Sequence, residues 1–207
     1  MKNQITALFP TPAYQADLDT VINNEHLNYI MNVYNNDVIE LELRNNSSKN
    51  KNILENSIFN DLKKELKEHL KIYKNEIIKT ESDYELYITQ SWLNYTRKNQ
   101  GHHLHFHQNC IISGVYYFQT VENDTITFKR PRVFNSFHFG NFKDQSNIFN
   151  CSFYSLPVKK GQLVLFPSEL EHQVNVITDD NMRISLAFNV FFKGKIGNYE
   201  EARYLEL

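Results

Sequence analysis

Four of the eight histidines lie within residues 102–107, and this cluster is the first sign of chemistry in the 207-residue chain. Side chains two residues apart on a strand point to the same face, so His105 and His107 could bind one metal ion. Such a pair is weak evidence alone, because two solvated or packed histidines would give the same pattern. His103 shares the parity of His105, and a place for His102 and His103 on the exposed rim of a pocket is equally open.

A third candidate ligand, His172, follows the short apolar segment 162–166 and a turn. At that place in the chain it could face the interior of a barrel and join the other two histidines. Two close histidines and a distant one suit a three-ligand site with open positions, which indicates a catalytic rather than a structural metal. Imidazole ligands suit iron, zinc, copper and nickel.

Arg183 and Ser185 lie 11 and 13 residues after His172 and share one face of an expected strand. A guanidinium and a hydroxyl would therefore point together into the interior. A buried guanidinium needs a partner, and its planar fork suits a carboxylate. Taken alone, Arg183 would pair with a carboxylate of the protein. Placed after the distant histidine, it is better explained as the anchor of an acidic cosubstrate.

Taken together, the H-x-H pair, the distant histidine and the R-x-S motif resemble the Fe(II)/2-oxoglutarate-dependent dioxygenases with a double-stranded β-helix. The chain is similar in particular to a family of 2-oxoglutarate–iron oxygenases of marine bacteria and phages, distantly related to prolyl 4-hydroxylases. The similar segments span nearly the whole chain and are densest over residues 90–192. They are residues 8–12, 91–94, 101–107, 113–117, 161–168, 172 and 183–189.

The resemblance implies a role for each of these residues. His105, His107 and His172 would hold Fe(II). Arg183 and Ser185 would bind the far carboxylate of 2-oxoglutarate, whose keto-acid end chelates the iron, and O2 would take the remaining position. The implied reaction is hydroxylation of an amino acid, a peptide or protein, or a small metabolite, with release of succinate and CO2.

One departure from the superfamily concerns His107, because most of these oxygenases have a carboxylate at this position. A three-histidine site carries one more positive charge, and no Asp or Glu lies between Gln100 and Tyr117. Asn109 has the parity of His107 and could act as a weak ligand or orient one. The alternative function is a cupin-type three-histidine metal protein: a dioxygenase without cosubstrate, an isomerase or a zinc-binding module. A non-catalytic β-domain would leave the histidine cluster unexplained.

Further residues are expected around the cosubstrate and the substrate. The resemblance implies that Tyr117 or Ser113 adds a hydrogen bond to 2-oxoglutarate. The other candidates for the substrate side are Trp92, Asn94, Tyr116, Phe128, Arg130 and Arg132. Core packing of Trp92 and Phe128, and solvated loops for the arginines, are the alternatives. His138 lies in an expected loop, and His26 and His69 are expected to be structural residues on helices.

Hydrophobic periodicity predicts two helices followed by about eight strands. The helices are expected over residues 18–35, with Asp17 or Asp19 as the cap, and over 58–79, with Ser57 as the cap. The strands, rich in β-branched and aromatic residues, are predicted at 84–95, 103–108, 111–119, 125–129, 149–155, 162–166, 173–177 and 183–193.

These elements predict an α+β fold, in which a double-stranded β-helix of the jelly-roll or cupin type carries two N-terminal helices on one sheet. Short turns join the strands, so the strands must be antiparallel. One oxygenase domain is expected over residues 1–207, with helical support at 1–80, the β-helix core at 81–195 and a tail at 196–207.

The connecting segments carry fewer signals. Residues 5–16, with two prolines, read as an edge strand or an irregular lead-in. Residues 44–52 read as a polar loop. This loop and residues 130–148 are expected to set the choice of substrate, which no motif identifies.

The composition excludes other classes of function. The chain has 22 basic and 24 acidic residues, a near balance that offers no electrostatic footprint for nucleic acid or an anionic membrane. Cys110 and Cys151 make no disulfide framework, and no apolar run suits a signal peptide or a membrane span. These features predict a cytoplasmic protein. The resemblance implies a bacterial or phage origin and a small-molecule or peptide partner; a homodimer is left open.

Overall fold

A computed structural model describes residues 2–41, 44–131 and 147–207. The helices are α1 (Asn24–Asn36) and α2 (Asn60–Tyr73), and α2 continues into a π-helical turn, Lys74–Ile78. The strands are β1 (Tyr14–Asp17), β2 (Val38–Ile39), β3 (Asn46–Ser48), β4 (Tyr84–Thr96), β5 (His102–His105), β6 (Ile112–Gln119), β7 (Thr125–Lys129), β8 (Phe153–Pro157), β9 (Gln162–Pro167), β10 (His172–Val174), β11 (Arg183–Ile196) and β12 (Leu205–Glu206).

Two antiparallel sheets face each other. The larger has the order β1-β9-β6-β11-β4-β3-β2, with β12 paired to β11, and the smaller has the order β5-β10-β7-β8. An apolar cluster fills the space between them, built from alternate residues of β6, β7 and β9 such as Val115, Phe128 and Phe166. The predicted α+β fold with a double-stranded β-helix is confirmed.

The two helices cover the outer face of the larger sheet. The apolar stripe of α2, which includes Leu62, Leu66 and Leu70, is fully buried against this face. The hydroxyl of Tyr95 on β4 donates a hydrogen bond of 2.7 Å to the carbonyl of Ile30 on α1. The outward residues of β4, β6 and β11 are thus committed to the helices, and their alternate residues face the gap between the sheets.

The helix starts differ from the predicted ones. The first helix begins at Asn24, because Asn23 rather than an aspartate is the cap: its side-chain oxygen accepts hydrogen bonds from the backbone of Glu25 and His26. Asp17, one of the two expected caps, belongs to β1. A 3₁₀ turn at residues 57–59, capped by the side chain of Asn56, precedes the second helix.

The prediction of a polar loop at residues 44–52 was wrong. β3 lies inside it and pairs with β4, where Asn46 is opposite Tyr95. The side chains of Asn45, Asn46 and Ser48 are buried. Ser48 satisfies its hydroxyl by donating to the carbonyl of Asn50 and accepting from the amide of Leu93. Buried polar residues that find such partners cannot be distinguished from a solvated loop by composition alone.

Other differences concern short or terminal elements. The strand expected at 149–155 is β8, which begins at Phe153, and β2 and β12 were not predicted. The lead-in segment does contain a strand, β1, which lies at the edge of the larger sheet. In the described ranges, none of the helices combines the length and apolar character needed to cross a bilayer.

Candidate metal centre

The structure brings together the three histidines expected to bind a metal. His105 on β5 and His172 on β10 are direct cross-strand partners. His107 lies two residues beyond His105, and its backbone N–H donates to the carbonyl of Ser168. One ring nitrogen of each histidine lies within 4.8 Å of the others. The three rings therefore converge on one point near the end of the smaller sheet.

Hydrogen bonds orient two of these rings through the backbone. The Nδ1 atom of His105 is 2.8 Å from the carbonyl oxygen of His103, and that of His172 is 3.0 Å from the carbonyl oxygen of Leu170. A carbonyl can only accept, so Nδ1 carries the proton and Nε2 keeps its lone pair. Metal-binding histidines commonly show this arrangement, which fixes both the tautomer and the direction of the ring.

An asparagine performs the same task for His107. The Nδ1 atom of His107 is 2.6 Å from Oδ1 of Asn189, on β11. The register of β11 against β4 shifts between Asn189 and Val190, so Asn189 stands at an irregularity of the strand. Asn109, expected by parity to orient or bind, is instead exposed and has a left-handed backbone with φ of 56°.

The pKa values of His102, His105, His107 and His172 are lowered. Burial is the main cause, and neighbouring histidines add to it. The pKa of His102 falls to about 2, that of His105 to about 4 and that of His172 to about 3. Burial also lowers the pKa of His107, against the hydrogen bond to Asn189. The imidazoles are therefore neutral at neutral pH, the form that binds a metal.

A bulge in β5 turns a fourth histidine inward. His172 pairs with His105 and Val174 with His102, so two steps on β10 match three on β5. As a result, the ring of His102 stacks on that of His105, with centroids 4.1 Å apart, and lines the cavity. His103 is exposed. The parity expected for a regular strand had favoured His103 over His102 for this position.

The histidines open into a small cavity. Residues of β4, β5, β6, β7, β10 and β11 form its walls. Trp92 and Asn94, expected on the substrate side, line it, and the Trp92 ring lies 5.6 Å from that of His107. Asn45, in the 44–52 segment expected to contribute to the choice of substrate, also lines it and donates a hydrogen bond of 3.0 Å to Asn94.

Arg183 lines the same cavity and is held on two sides. Its Nε donates to both carboxylate oxygens of Asp124, at 3.0 and 2.9 Å. One terminal nitrogen, Nη1, donates to Ser185 at 3.2 Å. The Cζ atom lies 4.9 Å from the ring centroid of Tyr117. Both interpretations of Arg183 therefore remain compatible: it pairs with a protein carboxylate and also faces the cavity.

Asp124 had no signal in the sequence, where it lies in an ordinary polar turn after β6. Its side chain is 2% exposed. Burial raises the pKa of Asp124, and the Arg183 guanidinium opposes this rise. Donation from Arg183 to both of its oxygens is the contact that a carboxylate makes.

Two hydroxyls expected near the cosubstrate are buried without a partner. Ser113 and Tyr117 both face the gap between the sheets, and no hydrogen bond to either hydroxyl is found within the described residues. Burial raises the pKa of Tyr117. Neither side chain is part of the cavity wall. Tyr117 lies beside Arg183, whereas Ser113 lies opposite Asn189. Orphaned hydroxyls of this kind are sites where a polar ligand group or a water fits.

Several candidates for the substrate side lie elsewhere. Arg130 donates to the carbonyls of Ile148 and Cys151. Tyr116 is buried in the cluster under the helices, and Phe128 packs in the core between the sheets. Arg132 and His138 lie outside the described residues, as does most of the loop at 130–148.

The donors present fit an iron site. Three neutral imidazoles with fixed tautomers converge, and a charged guanidinium faces the same cavity, which suits an ion with open positions and an anionic cosubstrate. No carboxylate lines the described part of the cavity. Among the described residues, the candidate ligands are therefore three histidines, without a carboxylate.

Comparisons with known proteins agree with this chemistry. Residues 90–189 match a family model described as "Putative 2OG-Fe(II) oxygenase". No curated protein sequence matches the chain. Among solved structures, the fold is similar to the non-heme alpha ketoglutarate dependent epimerase SnoN from nogalamycin biosynthesis (TM-score 0.58, 12% identity, covering 87% of this chain and 78% of that one).

Two further structures share the fold. One is HygX from Streptomyces hygroscopicus with nickel, 2-oxoglutarate and hygromycin B bound (TM-score 0.57, 12% identity, covering 87% of this chain and 83% of that one). The other is a 2OG-Fe(II) oxygenase family oxidoreductase from Burkholderia pseudomallei (TM-score 0.56, 10% identity, covering 86% of this chain and 85% of that one). At these identities the likeness concerns the fold. The segment that matches the model of the 2-oxoglutarate–iron oxygenase family, residues 90–189, contains the three converging histidines and Arg183.

Proposed function

We propose that this oxygenase hydroxylates an amino acid, a peptide or a small metabolite, with His105, His107 and His172 as the iron ligands. The observation that carries the proposal is that these three histidines and Arg183 line one cavity. When bound, iron with 2-oxoglutarate and O2 supplies an oxidation in which succinate and CO2 are released. The protein's own residues bind, orient and shield the reactants.

Each group has a distinct task in this proposal. The three histidines present Nε2 to the metal, since their Nδ1 atoms are held by oxygen acceptors. Arg183 receives the far carboxylate of 2-oxoglutarate, and Ser185 holds one edge of the guanidinium. Trp92, beside His107, forms an apolar wall that keeps bulk water from the metal. Asn45 and Asn94 offer amide groups to a polar substrate.

Hydroxylation is the simplest outcome of this chemistry, but the fold supports others. The structures of similar fold include an alpha ketoglutarate dependent epimerase and a carbocyclase. A cosubstrate-independent three-histidine enzyme is the second candidate, because no carboxylate lines the described cavity wall. Dependence on 2-oxoglutarate separates the two.

An anaerobic titration tests the proposal. Fe(II) is added to the protein with and without 2-oxoglutarate, and the absorption spectrum is recorded. A metal-to-ligand charge-transfer band that requires both is expected. Iron binding with no effect of 2-oxoglutarate would contradict the proposal and favour the cosubstrate-independent enzyme. Product analysis of candidate substrates by mass spectrometry then tests for the added oxygen atom.

A further inference from the structure

In the part of the chain that the structure describes, the site has no ligand carboxylate of the kind found in most members of the superfamily, and Asp124 offers a replacement for its charge. Neutral imidazole is the form that binds a metal, so three histidines add no negative charge. Within the described residues, no Asp or Glu lines the cavity. Asp124 instead reaches the cavity wall through Arg183, whose Nε donates to both of its oxygens, at 3.0 and 2.9 Å.

Because the Arg183–Asp124 pair is buried, its charges interact strongly with any ligand bound in the cavity. The side chains of Arg183 and Asp124 are 3% and 2% exposed, so solvent and salt screen them little. The pair also leaves part of the guanidinium available. Nε contacts Asp124 and Nη1 contacts Ser185, whereas Nη2 makes no hydrogen bond within the described residues. A carboxylate can therefore reach Arg183 without displacing Asp124.

We propose that Asp124 carries the negative charge that a ligand carboxylate supplies in a two-histidine, one-carboxylate site, and that it thereby sets the affinity for 2-oxoglutarate. This inference rests on the proposed function. A divalent metal and dianionic 2-oxoglutarate cancel each other, and Asp124 cancels Arg183. The loaded site is neutral as a whole. A site with a ligand carboxylate and an unpaired arginine would have the same net charge. In this protein the negative charge therefore lies beside Arg183 instead of at the metal.

The proposal makes opposite predictions for two substitutions. Asp124→Asn removes a negative charge, so dianionic 2-oxoglutarate should bind more tightly, by about tenfold. His107→Asp adds a negative charge at the metal, so 2-oxoglutarate should bind more weakly, by about tenfold. With both changes the total charge returns to that of the original protein. The affinity for 2-oxoglutarate should then return to within about threefold of it.

Calorimetric titration of 2-oxoglutarate into the Fe(II)-loaded full chain, under anaerobic conditions, measures these affinities. The four chains of the double-mutant cycle are compared at saturating Fe(II). Recovery in the doubly substituted chain supports the proposal. Weaker binding by Asp124→Asn would instead make Asp124 a residue that only orients Arg183, and would overturn the proposal. Failure of the doubly substituted chain to recover the original affinity would also overturn it.

A second comparison needs no change at Asp124. If Asp124→Asn does not fold, because Arg183 is left without its counter-charge, His107→Asp is compared with His107→Asn. Both remove the imidazole and differ only in charge. About tenfold weaker binding of 2-oxoglutarate by His107→Asp is expected. Equal or tighter binding overturns the proposal. The unsubstituted chain is a separate arm: if it binds Fe(II) but not 2-oxoglutarate, the proposed function itself fails.

Discussion

Asn189 orients His107 across 82 positions of the chain, through a contact of 2.6 Å between Oδ1 and Nδ1. Asn189 belongs to β11 of the larger sheet and His107 follows the end of β5, so this bond connects the larger sheet to the metal centre. Loss of such an orienting partner typically lowers metal affinity by about 10- to 100-fold. We therefore expect Asn189→Leu to weaken Fe(II) binding by this factor while the fold is retained.

Anaerobic Fe(II) titration and circular dichroism check this expectation. Asn109→Gly is the matched control, because Asn109 is exposed and glycine tolerates its left-handed backbone. The control should bind Fe(II) like the original chain. If Asn109→Gly weakens binding and Asn189→Leu does not, the assignment of the orienting residue is wrong.

The choice among the clustered histidines can be tested by metal stoichiometry. Two overlapping sets of three have ring nitrogens close enough for one ion: His102, His103 and His105, or His105, His107 and His172. The second set has the fixed tautomers, so His172→Asn should reduce bound Fe(II) to a small fraction of one per chain. His103→Asn changes an exposed ring and should leave the stoichiometry at about one. If His103→Asn lost the bound Fe(II) and His172→Asn kept it, the first set would be the ligands.

Removing one charge of the Arg183–Asp124 pair should lower the unfolding free energy much more than removing both charges. Arg183→Gln leaves a buried carboxylate without its counter-charge, and a loss of about 3–5 kcal/mol in unfolding free energy is expected. Arg183→Gln combined with Asp124→Asn removes both charges and should recover a large part of that loss. Urea unfolding of the metal-free chains measures both. A doubly substituted chain no more stable than the single variant would show that the pair is not coupled.

Acid should destabilise the metal-free protein through its histidines. Because the pKa values of His102 and His172 in the fold, about 2 and 3, lie below the usual 6.5, the unfolded chain binds more protons between these values. The unfolding free energy therefore falls as pH decreases from about 6.5 toward 4, by up to about 1.4 kcal/mol per pH unit for each histidine. Chemical unfolding at pH 4.5, 5.5 and 6.5 should show a smaller slope for His102→Asn. Parallel curves for the two chains would contradict this origin.

Gly114, in the middle of β6, should not accept a side chain. A Cβ atom there would lie 2.1 Å from Cζ of Phe188, whose ring covers the glycine. Gly114→Ala should therefore lower the unfolding free energy by about 1–3 kcal/mol through overpacking. Thermal unfolding measures the change. Phe188→Leu in the same chain should relieve part of it, whereas an undisturbed melting temperature in Gly114→Ala would argue against the close packing.

The local pattern of the sequence determined much of the fold. Period-2 alternation and turn residues predicted the central strands, and β7 was placed at its observed bounds, Thr125–Lys129. Amphipathic periodicity predicted both helices, though not their starts. These features are encoded within a few residues of each other. Local propensity and the burial of one face of an element depend on residues close together in the chain, so a single sequence is enough to predict these elements.

The residues expected at the centre could also be named from the sequence, because H-x-H, His172 and Arg183 form a pattern that resembles a family. Their supporting contacts could not. Asp124 is 59 residues from Arg183, and Asn189 is 82 residues from His107. Neither polar residue differs locally from a solvated one. Only the pairing of distant strands decides whether it is buried beside a charge.

Backbone irregularities also decided which side chains face the cavity, and the sequence did not predict them. Strand parity favoured His103, but the bulge against β10 directs His102 into the cavity instead. Asn45 likewise reaches the cavity because β3 pairs with β4. The sequence by itself therefore determined the chemical groups and the strands that carry them. The tertiary structure decided which side chains face the cavity and which charges meet there, because register, bulges and strand order depend on contacts between residues far apart in the chain.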